Sequence, residues 1–372
     1  MKKLNVSFIS CWYPNIGVSD YTCELMSALQ ELKEIEKIKI VSGSCWCEAR
    51  VNKASKQGCN SWYPSAWEKI FKFFFRKYYN LPNSILRAIW TNFKTLNSDI
   101  VHYQLCAGSF GFISLLSFLL LPKKAKKVVT LHEIVFSNRF SKILKPIIEK
   151  IDAVIVHTDF SKKKLIQIFP YLESKIRIIY HGVKIPELKH YLRDKITFFG
   201  PPVESRGIYI LLNAMTILNE KNTPITLHIY GPVLNFERKE IMNYAEKNKI
   251  TENIVFGGEL SENIFFQKLQ KSKILIVPRL EAHASSTIIK AMACETPIIA
   301  TNIGGIPEYL GNAGILIPPN NAEVLADTIQ KLNADEKTRK KIGISGRKRA
   351  KRIFQWSKIA EKTLKLYRCL ML

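Results

Sequence analysis

Two hydrophobic periods alternate along the whole chain. Short runs that are apolar on both faces, "KLNVSFIS", "KIKIVSG", "SDIVHYQ", "KKVVTLH", "DAVIVHT" and "KIRIIYHG", are separated by stretches with helical spacing. Strands buried on both faces and joined through helices predict a parallel sheet in an α/β domain. After residue 195 the pattern restarts with "KITFFGP", "ITLHIYGP", "NIVFGG", "KILIVPR", "TPIIAT" and "AGILIPP". The expected fold class is therefore α/β, with two doubly wound Rossmann-like domains facing an interdomain cleft and ligands at the carboxyl ends of the strands. The expected divisions are 1–187 and 188–350, with a closing helix over 351–372. Pro186 and the charges of "GVKIPELKHYLRDK" suit a linker.

Two segments depart from this alternation. Over residues 62–94, Trp67, Ile70, Phe71, Phe74 and Tyr78 fall on one helical stripe, with Lys69, Lys72, Arg76 and Lys77 largely off it. Packing of that stripe on the domain's own sheet and docking of an interfacial helix on an anionic membrane are both open readings. The run from Leu105 to Leu121 is short for a bilayer span and contains two glycines, so it reads as a buried helix stopped by Pro122.

Composition narrows the partners. A chain of 372 residues exceeds one ordinary core, and 56 basic against 31 acidic side chains leave +25, a charge that suits anionic lipid, nucleic acid or phosphorylated small molecules. No recognised nucleic-acid motif accompanies the charge, so nucleic acid is not an expected partner. The eight cysteines show no CxxC pairing, which argues against zinc and for reduced thiols. "MKKLNVSFISCWYP" has too short an apolar stretch for a secretion signal and reads as a first strand. The expected location is cytoplasmic, peripheral on the inner membrane face if the aromatic and basic stripe is interfacial.

The candidate chemistry falls at predicted strand ends. Gly17 permits a tight turn into a helix capped by Ser19 or Asp20. His132 ends the strand of "TLHE", where a histidine can serve structure or proton transfer. Arg206 and Gly207 open the helix after "FFGPP", and a guanidinium there can form paired hydrogen bonds to phosphate oxygens. Ser285, Ser286 and Thr287 stand where a helix begins, a position whose N–H groups can face a diphosphate. "TNIGGIPE" adds two adjacent glycines that allow close backbone approach.

This set, with "AMACETPIIATNIGGIPEYLGNAGILIPPNNAEVLADTI", "VHTDFSKKKL" and the late "FQWSKIAEKTLKLY", resembles the GT-B glycosyltransferases, and among them the retaining glycosyltransferase family 4. The resemblance implies transfer of a sugar from a nucleotide-diphosphate donor to a glycan or lipid-linked acceptor, with retention of configuration and no metal or other cofactor. It implies that the second domain holds the donor and the first the acceptor. With the helix-start reading, the expected catalytic residues are His132, Arg206 and Glu281, and the expected donor-binding residues are Gly17, Arg206, Glu281, Ser285, Ser286, Thr287 and Lys290.

Two positions differ from the family pattern. Its phosphate pair is an arginine followed five residues later by a lysine, whereas here Pro201 and Arg206 occupy those places. Of its two glutamates eight apart, the second is Lys290, and the first is Glu281 only if the loop has one extra residue, otherwise Ala282. Lysine is donor-only and cannot accept a hydrogen bond from ribose. Compensation for Pro201 at the diphosphate, a solvated side chain and a silent donor site are the three readings of Lys290. The alternative function is thus a catalytically silent GT-B-like subunit that binds sugar nucleotides. A sugar-nucleotide epimerase is disfavoured because no acidic and histidine cluster for proton abstraction is evident.

Overall fold

The computed structural model describes residues 2–10, 17–42, 48–49, 93–105, 124–134, 148–282 and 284–372. The aromatic and basic stripe and the long apolar run lie outside these residues, apart from 93–94 and Leu105. The chain forms two compact units, Met1–Gly182 with Trp356–Leu372, and Val183–Gln355. These units part at 182/183 and 355/356, where the sequence places divisions at 187/188 and 350/351.

Residues 183–194 are not a loose linker. Val183 bridges Gln355, the Pro186 carbonyl accepts from Arg347, the Lys189 N–H donates to Gln270, and Arg193 donates to the carbonyls of Cys294 and Glu295. These bonds fasten the segment to the second unit.

In the first unit the strands β1 (Leu4–Ser10), β2 (Ile35–Ser42), β3 (Glu48–Ala49), β4 (Ile100–Leu105), β5 (Lys126–Leu131), β6 (Ala153–Val156) and β7 (Ile176–Ile178) lie in the order β3-β2-β1-β4-β5-β6-β7. All pairs are parallel except β2 with β3. One face carries Leu4, Val6, Phe8, Ile100, Val128 and Ile155 against α1 (Gly17–Gln30) and α10 (Trp356–Met371). The other carries Val101, Tyr103, Val129 and Val154 against Leu165 of α2 (Asp159–Ile168). This is the two-residue alternation of a strand buried on both sides. Helix α1 starts at Gly17, so Ser19 and Asp20 fall inside its first turn rather than at the expected cap.

The second unit places β8 (Lys195–Phe199), β9 (Leu227–Tyr230), β10 (Ile254–Gly258), β11 (Ser272–Val277), β12 (Ile298–Thr301) and β13 (Ile315–Ile317) in the order β10-β9-β8-β11-β12-β13, all parallel. Its described helices are α3 (Ile208–Glu220), α4 (Asn235–Lys247), α5 (Glu262–Lys271), α6 (Ser286–Ala293), α7 (Ile306–Leu310), α8 (Ala322–Ala334) and α9 (Glu336–Arg349). Strand order reverses between β8 and β11. The loops that leave their carboxyl ends therefore flank the crevice where open α/β sheets take ligands.

Candidate active site

At the β8–β11 crevice the backbone packs too closely for side chains. The Gly200 N–H donates to the Tyr230 carbonyl, and a Cβ on Gly231 would stand 2.7 Å from the Gly200 carbonyl carbon. A Cβ on Gly207, whose φ is 75°, would stand 1.8 Å from the Pro278 oxygen, and the Leu280 N–H donates to Ser205. The loop entering α3 and the loop after β11 are thereby clamped together. Arg206 folds back over the end of β8, its Nη1 being 2.2 Å from where a Cβ on Gly200 would lie. Only glycine leaves room there for the guanidinium.

The loop after β11 carries Glu281 exposed and Ala282 buried. The Ala282 carbonyl accepts from the Gly305 N–H at 3.2 Å and lies 1.7 Å from a would-be Cβ on Gly304, whose φ is 56°. The adjacent glycines thus serve contact between two loops.

Ser285 precedes α6 in extended conformation, and its hydroxyl makes no capping bond. The residue is 2% exposed and its Oγ has no hydrogen-bond partner among the described residues. Ser286 is exposed and Thr287 half-buried at the helix start, so neither stands in the cap position. A helix start leaves free N–H groups and a positive end, and here a buried hydroxyl lies beside them. That is a site for an anion.

Lys290, half-buried, places Nζ 5.0 Å over the Phe265 ring and 5.8 Å over Phe266 on α5. The Phe265 ring in turn packs at 4.6 Å on Phe199, the last residue of β8. No carboxylate pairs with Lys290 among the described residues. Lys290 belongs to the last turn of α6, and its ammonium is near enough to the Cys294 thiol that follows the helix to act on it.

In the first unit, strand period places His102 and Gln104 of β4, Thr130 and His132 at the end of β5, and His157 after β6 on the face covered by α1 and α10. They form a buried chain. His102 Nδ1 meets Tyr367 Oη at 2.6 Å, His102 Nε2 meets Thr130 Oγ1 at 2.7 Å and Gln104 at 3.4 Å. His132 Nε2 meets the Gln104 amide at 2.9 Å, His132 Nδ1 meets His157 Nε2 at 3.2 Å, and His157 Nδ1 donates to the Ile179 carbonyl at 2.8 Å. The Tyr21 ring of α1 packs edge-on against His132 at 4.8 Å and against Trp356 at 5.2 Å.

The carbonyl of Ile179 fixes the proton positions along this chain. His157 carries its proton on Nδ1, so a neutral His157 accepts at Nε2 from His132 Nδ1–H. His132 Nε2 is then an acceptor, and since the atom 2.9 Å from it is Gln104 Oε1, this neutral chain requires the Gln104 amide to be turned so that its nitrogen donates there. Burial holds the rings neutral. It lowers His102 to about 3 and His157 to about 4, and moves His132 well below the ordinary histidine range, with the neighbouring rings adding to the shift of His132. Both nitrogens of His132 are engaged within the protein.

The expected residues thus divide, with Gly17 and His132 in the first unit and Arg206, Glu281, Ser285, Ser286, Thr287 and Lys290 in the second. The sequence reading missed Gln104, His102, His157 and Tyr21, and the ring partners of Lys290. A signal was present, since "VHYQ", "TLHE", "VHTD" and "YHGV" each place a histidine at or near a strand end. Among the described residues no group of three or more His, Cys, Asp or Glu stands where it could hold a metal ion.

Two doubly wound units, with an anion-ready helix start at the switch point of the second, define a GT-B architecture. Residues 186–349 match the family model described as glycosyl transferases group 1, and residues 49–185 match that of glycosyltransferase family 4. Together the two glycosyltransferase models span residues 49–349. The chain is 27% identical over 220 residues to an uncharacterized glycosyltransferase of Methanocaldococcus jannaschii, a stretch covering 58% of this chain and 59% of that one. It is 21% identical over 389 residues to the O-antigen chain mannosyltransferase B of Escherichia coli, covering 96% and 97%. Its fold matches HepE of Anabaena in complex with UDP-glucose with a TM-score of 0.73, 15% identity and coverage of 98% and 100%.

Proposed function

We propose that the chain is a retaining, metal-independent glycosyltransferase that moves a sugar from a nucleotide-diphosphate donor to a glycan or lipid-linked acceptor. The observation that carries this reading is the buried Ser285 hydroxyl, without a partner among the described residues, at the start of α6. A buried hydroxyl without a partner costs stability, and a phosphate oxygen is the kind of group that satisfies it.

Breaking the bond between the anomeric carbon and the diphosphate leaves negative charge on the phosphate and positive charge on the sugar. In the proposal the α6 N–H groups, Ser285 Oγ, the Ser286 and Thr287 end of the helix and the Arg206 guanidinium stabilise the leaving group, so binding groups also lower the barrier. Lys290 contributes the second cation that Pro201 does not. Glu281, exposed on its loop, accepts from donor hydroxyls. Gly17 opens a further helix start, in the acceptor-side unit. His132 contacts substrate by exchanging the Gln104 amide at Nε2 for a sugar hydroxyl.

The relatives support a glycan acceptor, one being named for O-antigen chains, and the ligand of the Anabaena neighbour supports a sugar-nucleotide donor. A thermal-shift screen across nucleotide diphosphates and their sugars identifies the donor, because a ligand bound to the native state raises the melting point. NMR of the product formed from that donor then reads the anomeric configuration. An inverted product removes the retaining mechanism, and binding without any product supports the silent alternative.

A further inference from the structure

We infer that the outer face of α9 is a docking surface for an anionic lipid bilayer. Between Lys337 and Arg352 the sequence has nine Lys or Arg and no Asp or Glu. The structure sorts these cations into two sets. Arg339 donates to the carbonyls of Leu332 and Asn333, Arg347 to Ala293 and Pro186, and Arg349 to Tyr309 and Glu308. These arginines fasten the helix to the body of the unit. Its packed side is closed by Gly343, where a Cβ would stand 2.4 Å from the Glu295 oxygen, and by Gly346 against Met292.

The lysines face the other way. Lys337, Lys341, Ile344 and Lys348 recur at helical spacing on the side opposite the two glycines, a row about 16 Å long. Lys351 and Arg352 extend it, and all six residues are exposed. Lys340, beside the row, pairs with Glu336, but none of the lysines in the row has an acidic partner among the described residues. Ile344 is 48% exposed in the middle of the row.

Compact ammonium groups on flexible stems around one exposed aliphatic side chain match a surface of phosphate headgroups over acyl chains. A nucleic-acid surface of this size would call on outward arginines and stacking aromatic rings, and here three of the four arginines are turned inward and the row carries no aromatic side chain. The proposal does not rest on the donor chemistry, because vesicle binding is read without turnover.

The test uses the full chain with phosphatidylcholine vesicles prepared with and without phosphatidylglycerol, in a sedimentation assay. Expected is binding to the phosphatidylglycerol vesicles alone, weakened by salt. The triple variant Lys337→Gln, Lys341→Gln, Lys348→Gln should lose about five-fold in partitioning per lysine, on the order of a hundred-fold in all, with an unchanged melting point. A control triple at exposed positions elsewhere, Lys37→Gln, Lys239→Gln, Lys247→Gln, removes the same net charge and should bind within a few-fold of the parent. The inference is overturned if the parent ignores phosphatidylglycerol, if both triples lose equally, or if the α9 lysines govern binding of single-stranded RNA but not of vesicles.

Discussion

Ser285→Ala should raise the stability of the ligand-free protein and weaken its hold on the donor. The hydroxyl is buried and without a partner among the described residues, and such a group costs about 1–3 kcal/mol. It makes no capping bond, so the usual penalty for replacing an N-cap serine does not apply. Removing one oxygen from a well-packed site should therefore stabilise the second unit by about 1 kcal/mol, a rise of roughly 2–4 °C for a unit of that size. If the same oxygen bonds a phosphate, its loss removes a hydrogen bond to a charged group, about 1.5–3 kcal/mol, and raises the donor Kd roughly ten- to a hundred-fold. Thermal melts with and without the nucleotide that shifts the parent measure both effects. The reasoning is refuted if Ser285→Ala melts lower than the parent and binds nucleotide equally well, since the hydroxyl would then be structural.

Lys290→Glu would replace a cation held over two rings with an anion, so if Lys290 serves the donor phosphates nucleotide titration should show at least a ten-fold weaker Kd; an equal or tighter Kd would remove Lys290 from the phosphate site. Gly304→Ala puts a Cβ 1.7 Å from the Ala282 oxygen at φ 56°, and calorimetry should show a loss of about 3 kcal/mol or more, since neither backbone can yield cheaply. Acid should destabilise the first unit. The unfolded chain protonates its histidines below about pH 6.5, while folded His157 resists to about 4 and His102 to about 3. Stability is thus full above pH 6.5, falls by about 1.4 kcal/mol per pH unit for each such ring as pH drops, and levels off below the folded values. Urea unfolding at pH 7.5 and 5.5 measures this, and a flat profile would contradict the neutral chain.

All the described strands but β3 were legible, because their runs are rich in apolar residues and alternate with helices; β3, only Glu48–Ala49, carries no such signal. The order of the strands, and so the switch point, was not legible, since periodicity records burial but not neighbours. Arg206 and Ser285 were legible as helix-start residues. Their clamping was not, because it depends on Gly207 meeting Pro278 and Gly200 meeting Arg206, contacts between segments distant in sequence or folded back on themselves. His132 looked solitary in "TLHE" because its partners come from four other segments, ending at Tyr367. Lys290 looked out of place because its partners Phe265 and Phe266 lie on a different helix. The units part at 182/183, at the start of the segment that Pro186 and its charges mark as a linker, but the bonds from Arg347 and Gln270 that hold 183–194 come from segments distant in sequence.

The claim that this chain transfers a sugar from a nucleotide donor is tested most directly by nucleotide-diphosphate release from a panel of nucleotide sugars. The parent is compared with the Arg206→Ala, Glu281→Ala double variant. The account predicts release from at least one donor well above that control. Nucleotide binding by the parent with release no greater than the control would contradict it and leave a sugar-nucleotide-binding protein without turnover.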